Sequence, residues 1–512
     1  MASGESVHSQ TMAGLLRGRA RAYPKRMALA EGPRRLSYAE LDERSDRLAS
    51  ALEARGVGRG DRVALIMVES AAFFELIFAT AKLGAIVVPL NWRWAPPEVG
   101  YALSLCTPSL VFVSECFADL VAGAPADIPV IRLADTSPDE RGQLEEFIGD
   151  SPRQAGVDVA SHEPWLILFT SGTTGRPKGC VHANRSMVIT ATSTVGHARL
   201  DPDDRMLLTL PLFHVGGLGM SIAHLSIGGA VVIAPSGSDT RAIRDLIEIE
   251  RCTTLSLDGK RLNELIALQG QDERPLRLRR LIRGGGLQSL EEVLQCERAL
   301  NLSVILSYGQ TESCGQSLYM MGADQAVGPR AVGRPAIHVE MRLVDAAGHA
   351  VPVGVPGELL LRGPTVMLGY WNNPEATEEA LGGGWLHTGD NFHQDDEGFL
   401  HFAGRLKELV KSGGENVYPA EVEHALMEHP DILECAVAGV PHSRWGEAVK
   451  AFVVSRVELS PAAVAQWCVG RIAGYKKPRY VEFVPRIPRN FLGKIDRRAL
   501  GALPVTPDQR AD

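Results

Sequence analysis

FTSGTTGRPKG, running from Phe169 to Gly179, is dense in glycine, small hydroxyls and cation. Gly172 and Gly175 let the backbone turn its N–H groups toward an anion, Thr170, Ser171, Thr173 and Thr174 add hydroxyl donors, and Lys178 adds positive charge. Such a loop suits a polyphosphate, with ATP the natural guest, although turn chemistry alone also allows an ordinary Ser/Gly surface turn. The Walker pattern does not fit. That motif sets its lysine directly after the second glycine and before Ser or Thr, whereas Lys178 is followed by Gly179.

Around this loop the chain has an α/β rhythm. Apolar positions recur at helical spacing from Ser37 to Val57, Asp61 to Met67 reads as a strand, Ala71 to Lys82 as a helix and Ile86 to Leu90 as a strand. Similar alternation returns through Arg205 to Ile233 and Leu276 to Leu306, so parallel or mixed sheets covered by helices are expected. Met206 to Ser238 carries no Asp, Glu, Lys or Arg and is long enough to cross a bilayer, but Pro211, Gly216, Gly217, Gly219, Gly228, Gly229 and Pro235 break it into a buried strand–helix–strand. After Arg405 the chain passes through LKELVKSGGENVYP to a helix over Ala420–Glu428, with strands near Ile432–Val440 and Ala448–Val454. The expected organisation is a large domain over 1–404 and a small α+β domain over 405–512.

With 512 residues, 45% of them hydrophobic, the chain can bury a large core, and its net charge of −8 argues against a nucleic-acid or anionic-membrane surface. No long apolar run follows Arg17, Arg19 and Arg21, so a secretory signal is not expected, and the default location is the cytoplasm. The eight cysteines are scattered with no CxxC pair or metal-ligand spacing, which fits a reduced compartment and implies no zinc.

Three further stretches carry chemistry. SYGQTE, Ser307 to Glu312, follows the apolar run Val304-Ile305-Leu306, and ligands in α/β folds sit at such strand ends. There Tyr308 offers a flat face for a base, Gly309 a close approach, Thr311 a donor to phosphate and Glu312 a ligand for a divalent cation. GWLHTGD, Gly384 to Asp390, ends in a carboxylate that can accept from ribose hydroxyls or cap a turn. NFLGKIDRR, Asn490 to Arg498, sets Lys494 in a glycine-hinged loop, which by itself also reads as a solvated basic tail.

Taken together and in this order, FTSGTTGRPKG, SYGQTE, TGD, GRLKELVKSGGENVYPAEVE and LGKIDRR resemble the adenylate-forming superfamily of acyl-CoA synthetases, peptide-synthetase adenylation domains and firefly luciferase. The resemblance covers roughly residues 30 to 500. It implies a large N-terminal AMP- and acyl-binding domain of sheets covered by helices, with a distorted barrel-like part, and a mobile C-terminal domain hinged near Lys407. The reaction implied is attack of a carboxylate on the α-phosphate of ATP with release of pyrophosphate, then transfer of the acyl group to a thiol. By the same resemblance, Thr170, Ser171, Gly172, Thr173, Thr174, Gly175 and Lys178 contact the β- and γ-phosphates. Gly284, Gly285, Gly286 and Tyr308, with Gly309 and Gln310, flank adenine; Asp390 takes the ribose hydroxyls, Arg405 lies near ribose and α-phosphate, and Glu312 holds Mg²⁺ beside Thr311. Lys494 bridges carboxylate and phosphate in the first step, and Ser412, Gly413 and Gly414 line the passage for the pantetheine arm in the second.

For the acyl side the resemblance points to PLFHVGG, Pro211 to Gly217. An aspartate expected of amino-acid-activating relatives is Phe213-His214 here, which disfavours an amino acid and makes His214 pocket-lining or a core histidine. Arg283 stands in RGGGLQ where many relatives carry Ser-Gly-Gly-Ala-Pro-Leu, so it either meets a second carboxylate or pairs with an acid of the protein. The expected partners are a carboxylic acid, ATP and coenzyme A, with Mg²⁺, no nucleic acid and no transmembrane segment; a homo-oligomer is left open. A carrier-protein phosphopantetheine is the alternative acceptor, and a non-catalytic nucleotide- or acyl-binding relative the alternative class.

Overall fold

The computed structural model describes residues 10–511 apart from 124, 126, 134–139, 154–155, 171–176, 271–274, 285–289, 322–323, 325–330, 413–414, 443–444, 490–494, 502 and 507–508. The chain divides into two compact units, Met1–Met341 with Leu361–His387, and Arg342–Leu360 with Thr388–Asp512.

The first unit is built on two open sheets. One runs in the order Gly369–Tyr370, Lys178–Ala183, Pro164–Thr170, Ile86–Pro89, Arg62–Ile66, Leu110–Ser114, Val130–Leu133. Its strands from Pro164–Thr170 onward pair in parallel, and the first two run antiparallel to their neighbours. Pro164–Thr170 reads PWLILFT with five successive residues buried, the continuous apolar run that a strand covered on both faces needs. In the other sheet the strands Met27–Glu31, Ala230–Ile233, Arg205–Leu208, Thr254–Leu255, Arg280–Gly284 and Ser303–Gln310 are parallel neighbours. Gly315–Met321 then folds back antiparallel on Ser303–Gln310.

Local sequence explains where the covering helices begin. Ser37 caps the helix Tyr38–Glu53 with a reciprocal pair, Glu40 N donating to Ser37 Oγ and Ser37 N to Glu40 Oε2 at 2.7 Å. Ser70 caps Ala71–Leu83, which closes on Gly84 at φ +67°. These two helices are locked by Lys82, whose buried ammonium donates to Asp42 Oδ1 at 2.7 Å and Asp46 Oδ1 at 2.6 Å. A buried cation of this kind is tolerated only because both acids and the Asp42 carbonyl receive it. The apolar stretch after Arg205 is the expected strand–helix–strand, Arg205–Leu208, Val215–Ile227 and Ala230–Ile233. No helix among the described residues is long and apolar enough to cross a membrane.

The second unit contains the strands Leu386–Gln394 and Leu400–Arg405, paired antiparallel, and a C-terminal sheet in the order Glu415–Val417, Val410–Ser412, Gly446–Ser455, Ile432–His442, with Tyr480–Phe483 beside Gly446–Ser455. Helix Pro419–Met427 covers that sheet through Val422 and Leu426. None of the described sheets closes on itself. The expected barrel-like part is therefore corrected to open sheets, because closure would require first and last strands to pair, and they do not.

Candidate active site

The strands Pro164–Thr170 and Lys178–Ala183, which flank the glycine-rich stretch of FTSGTTGRPKG, are paired antiparallel. Thr170 ends one strand and Lys178 begins the next, and the two are cross-strand partners. Ser171, Gly172, Thr173, Thr174 and Gly175 lie outside the described residues. At the hairpin's base, Lys178 Nζ stands 4.9 Å from the centroid of the Tyr370 ring, and Tyr370 Oη donates to Glu312 Oε1 at 2.8 Å. Tyr370 is carried there by the short strand Gly369–Tyr370, in register with Cys180, while Met367 N donates to the Glu312 carbonyl at 2.8 Å. Burial first, and the Glu312 charge second, raise the Tyr370 phenol far above its ordinary range, so it stays a donor.

The consequence is electrostatic. Among the described residues no ion pair joins Lys178 to Glu312. A direct pair would neutralise both groups, whereas a ring face for the ammonium and a hydroxyl for the carboxylate leave the cation available to phosphate and one carboxylate oxygen available to a metal. Tyr370 was absent from the sequence expectations; GYWNNPEAT offers no local sign that its ring reaches a residue far back in the chain.

SYGQTE forms the end of strand Ser303–Gln310 and the 3₁₀ turn Thr311–Ser313. Tyr308 is half-buried opposite Leu318, and a bulge follows it, between Tyr308 and Gly309. Gly309 is obligatory here, since a Cβ would stand 1.4 Å from the Gly315 carbonyl oxygen. Gln310 N donates to Ser313 Oγ, which holds the turn that carries Thr311 and Glu312. Behind the turn His182 is fully buried, and burial pushes its imidazole down to about 4, only partly offset by the Thr311 backbone. Gly284 pairs with Ser307, its Cβ position 3.3 Å from Ser307 Oγ, so the strand that leads to the RGGG segment runs beside SYGQTE; Gly285 and Gly286 lie outside the described residues.

On the acyl side His214 occupies the position before helix Val215–Ile227, half-buried, its ring 4.6 Å from that of Phe213. Trp92 meets Phe213 edge-on at 6.1 Å and stacks on Phe117 at 5.0 Å, extending an aromatic wall. Glu69 accepts from Leu212 N at 3.3 Å, and burial raises its carboxyl. Arg283 is half-buried near Glu292, Cys296 and Asp258, and burial lowers its guanidinium despite those neighbours.

In the second unit Asp390 and Arg405 are cross-strand partners joined by Arg405 Nε to Asp390 Oδ1 at 3.2 Å. Asp390 is 6% exposed, with its N–H on Thr388 Oγ1, so the carboxylate of the TGD turn is held in place. Lys407 lies in the 3₁₀ turn Leu406–Glu408 and Ser412 at the end of strand Val410–Ser412; Gly413, Gly414 and Lys494 are outside the described residues. Arg497 lies within the NFLGKIDRR stretch, though the sequence reading did not single it out. It donates to Glu408 Oε2 at 2.7 Å, to Glu423 and to the Val437 carbonyl at 2.9 Å.

Known proteins with this pattern are numerous and agree. The family model for AMP-binding enzymes matches residues 16–371, and that for the AMP-binding enzyme C-terminal domain matches 421–494. Indoleacetate–CoA ligase of Aromatoleum aromaticum is 40% identical over 482 residues, 92% of this chain and 94% of that protein. Feruloyl-CoA synthase of an Amycolatopsis species is 36% identical over 481 residues, 93% of this chain and 96% of that protein. The structure of o-succinylbenzoate CoA synthetase from Bacillus subtilis with its acyl-adenylate intermediate matches with a TM-score of 0.84 at 28% identity, covering 96% of this chain and 98% of that one. The same synthetase is also known with ATP and a magnesium ion. This chain belongs to the AMP-binding enzyme family. It is an acid–thiol ligase, an ATP-dependent carboxylate–CoA ligase that proceeds through an acyl-adenylate.

Proposed function

We propose that the chain joins a carboxylic acid with an aromatic body to coenzyme A in the cytoplasm, with Mg²⁺ on the phosphates of ATP. A carboxylate oxygen attacks the α-phosphorus and the bond to the bridging oxygen breaks, releasing pyrophosphate; the thiol sulfur then attacks the acyl carbon and AMP departs. The carboxylate must acquire such a leaving group because it is itself a poor electrophile. The observation that carries this reading is the Lys178–Tyr370–Glu312 arrangement at the base of the loop, which keeps a cation and an anion close without cancelling them.

In this reading Thr170, Lys178 and the loop 171–175 hold the β- and γ-phosphates, Gly284 to Gly286 with Tyr308 to Gln310 flank adenine, Thr311 donates to phosphate, Asp390 accepts from ribose and Arg405 lies near the α-phosphate. Mg²⁺ takes one or two carboxylates and otherwise phosphate and water. Glu312 fits that demand: Tyr370 fixes one of its oxygens, and the other has no protein partner among the described residues. When bound, the ion neutralises charge on the departing pyrophosphate. The aromatic preference rests on the Trp92, Phe117, Phe213 and His214 wall and on the two relatives that act on indoleacetate and ferulate. Glu292 and Asp258 already face Arg283, which speaks against reserving that guanidinium for a second carboxylate.

Lys494 bridges carboxylate and phosphate in the first step and must leave before the thiol enters, so residues 405–512 turn about Lys407 and bring Ser412, Gly413 and Gly414 to the acyl group. The Arg497–Glu408 contact ties the residue beside Lys407 to the chain just after Lys494, as a turning unit requires. Paired variants test both halves. Lys494→Ala should lower acid-dependent ATP–pyrophosphate exchange by on the order of 10²–10³ yet still form acyl-CoA from supplied acyl-adenylate. Gly414→Trp should do the reverse, and equal loss in both assays would overturn the division of labour.

A further inference from the structure

Beside the SYGQTE turn the structure leaves a buried amide with nothing to bond. Gln316 is 7% exposed, yet its Oε1 is fully enclosed without a hydrogen-bond partner among the described residues. Gln310, in the hairpin position beside it, likewise holds an enclosed Nε2 without a partner. Buried polar atoms are nearly always bonded, and leaving one unmade in a core costs more than replacing it with an apolar group of the same shape. An unmet amide therefore marks a place where something else supplies the partner.

The surroundings tell which site this is. Gly315, next to Gln316, packs on Val215, its Cβ position 3.2 Å from Val215 Cγ2, and Val215 directly follows His214. One turn along the same helix, a Cβ on Gly219 would stand 3.7 Å from Gln316 Oε1 and 3.9 Å from Met187 Sδ. Gly219 thus leaves the helix without a side chain beside the amide, one turn on from the residue that follows His214, with the Met187 thioether as the other neighbour. A straight alkyl chain laid against the amide would leave it without a partner.

We infer that Gln316 is a specificity-determining residue that hydrogen-bonds a polar group on the body of the acid, so that the enzyme takes hydroxyaryl or N–H heteroaryl acids over their unsubstituted counterparts. This rests on the ligase reading of the same site. Because an amide presents either its oxygen or its NH₂ after a half-turn, it serves an O–H, an N–H or an ether oxygen of the ligand.

Matched pairs test it: 4-hydroxyphenylacetate against phenylacetate, and indole-3-acetate against naphthalene-1-acetate, with pyrophosphate release and acyl-CoA formation both followed. Wild type should favour the polar member of each pair in kcat/KM by on the order of 10²-fold or more, as sites that bond a substrate hydroxyl or N–H do. In Gln316→Leu the preference should collapse or invert while the apolar acid is still turned over, which also shows that the variant folds. Gln316→Met, of similar volume, repeats the test should the leucine variant prove unstable. Equal use of both members by wild type, or a preference that survives in both variants, would overturn the role of Gln316 alone. Failure of every acid to give acyl-CoA would overturn the ligase reading itself.

Discussion

The two faces of the SYGQTE hairpin are finished to different degrees. On the face proposed for phosphate, Lys178 lies on the Tyr370 ring and Tyr370 donates to Glu312. On the face proposed for the acid, Gln316 is buried and its Oε1 has no partner among the described residues. Phosphate chemistry is the same for every acid, so its donors can be set in advance by the protein, whereas recognition of one acid leaves bonds for that acid to complete. What is preorganised differs from what is selective, although a few residues of chain separate Glu312 from Gln316.

Gly309 belongs to both faces, and its replacement would break the contrast. Gly309→Ala sets a Cβ 1.4 Å from the Gly315 carbonyl oxygen, which forces the bulge apart. A cost of about 4 kcal/mol or more is expected, with adenylation and acid preference lost together. Denaturant unfolding measures the first and pyrophosphate release the second. A variant of unchanged stability would mean that the hairpin is freer than its geometry implies.

Tyr370→Phe sharpens the contrast because it touches the phosphate face alone. Removing a hydrogen bond to a charged group costs about 1.5–3 kcal/mol, so the apparent Mg²⁺ requirement should rise roughly 10- to 100-fold. The choice between paired acids should stay as it was. A change in that choice would show that the faces are coupled.

Much of this was legible in the chain because it is written in local patterns. The helix expected over Ala71–Lys82 is found at Ala71–Leu83, begun by Ser70 and ended by Gly84, and that expected over Ala420–Glu428 is found at Pro419–Met427. Thr170, Lys178 and the SYGQTE residues stand out because glycine, hydroxyl and charge at short spacing serve a phosphate wherever they occur. Tyr370, Gln316 and Met187 do not stand out. Each acts through a partner remote in sequence, brought near by strand pairing or helix packing, and an isolated tyrosine or methionine reads as ordinary core, an isolated glutamine as ordinary surface.

His182 gives the smallest effect and separates folding from catalysis on the phosphate face. In the unfolded chain its imidazole takes a proton near the ordinary 6.5, but in the fold burial holds that proton off until about 4. Between those values the unfolded state binds more protons, so stability falls as pH drops below 6.5, and above 6.5 nothing is lost. Relative to neutral pH the loss from this one group is about 1 kcal/mol at pH 5.5. His182→Gln should remove that slope from a series of unfolding curves between pH 7.5 and 5, whatever uniform offset its packing adds. An unchanged slope would place the acid sensitivity in other groups and leave the turn beneath Thr311 and Glu312 free of it.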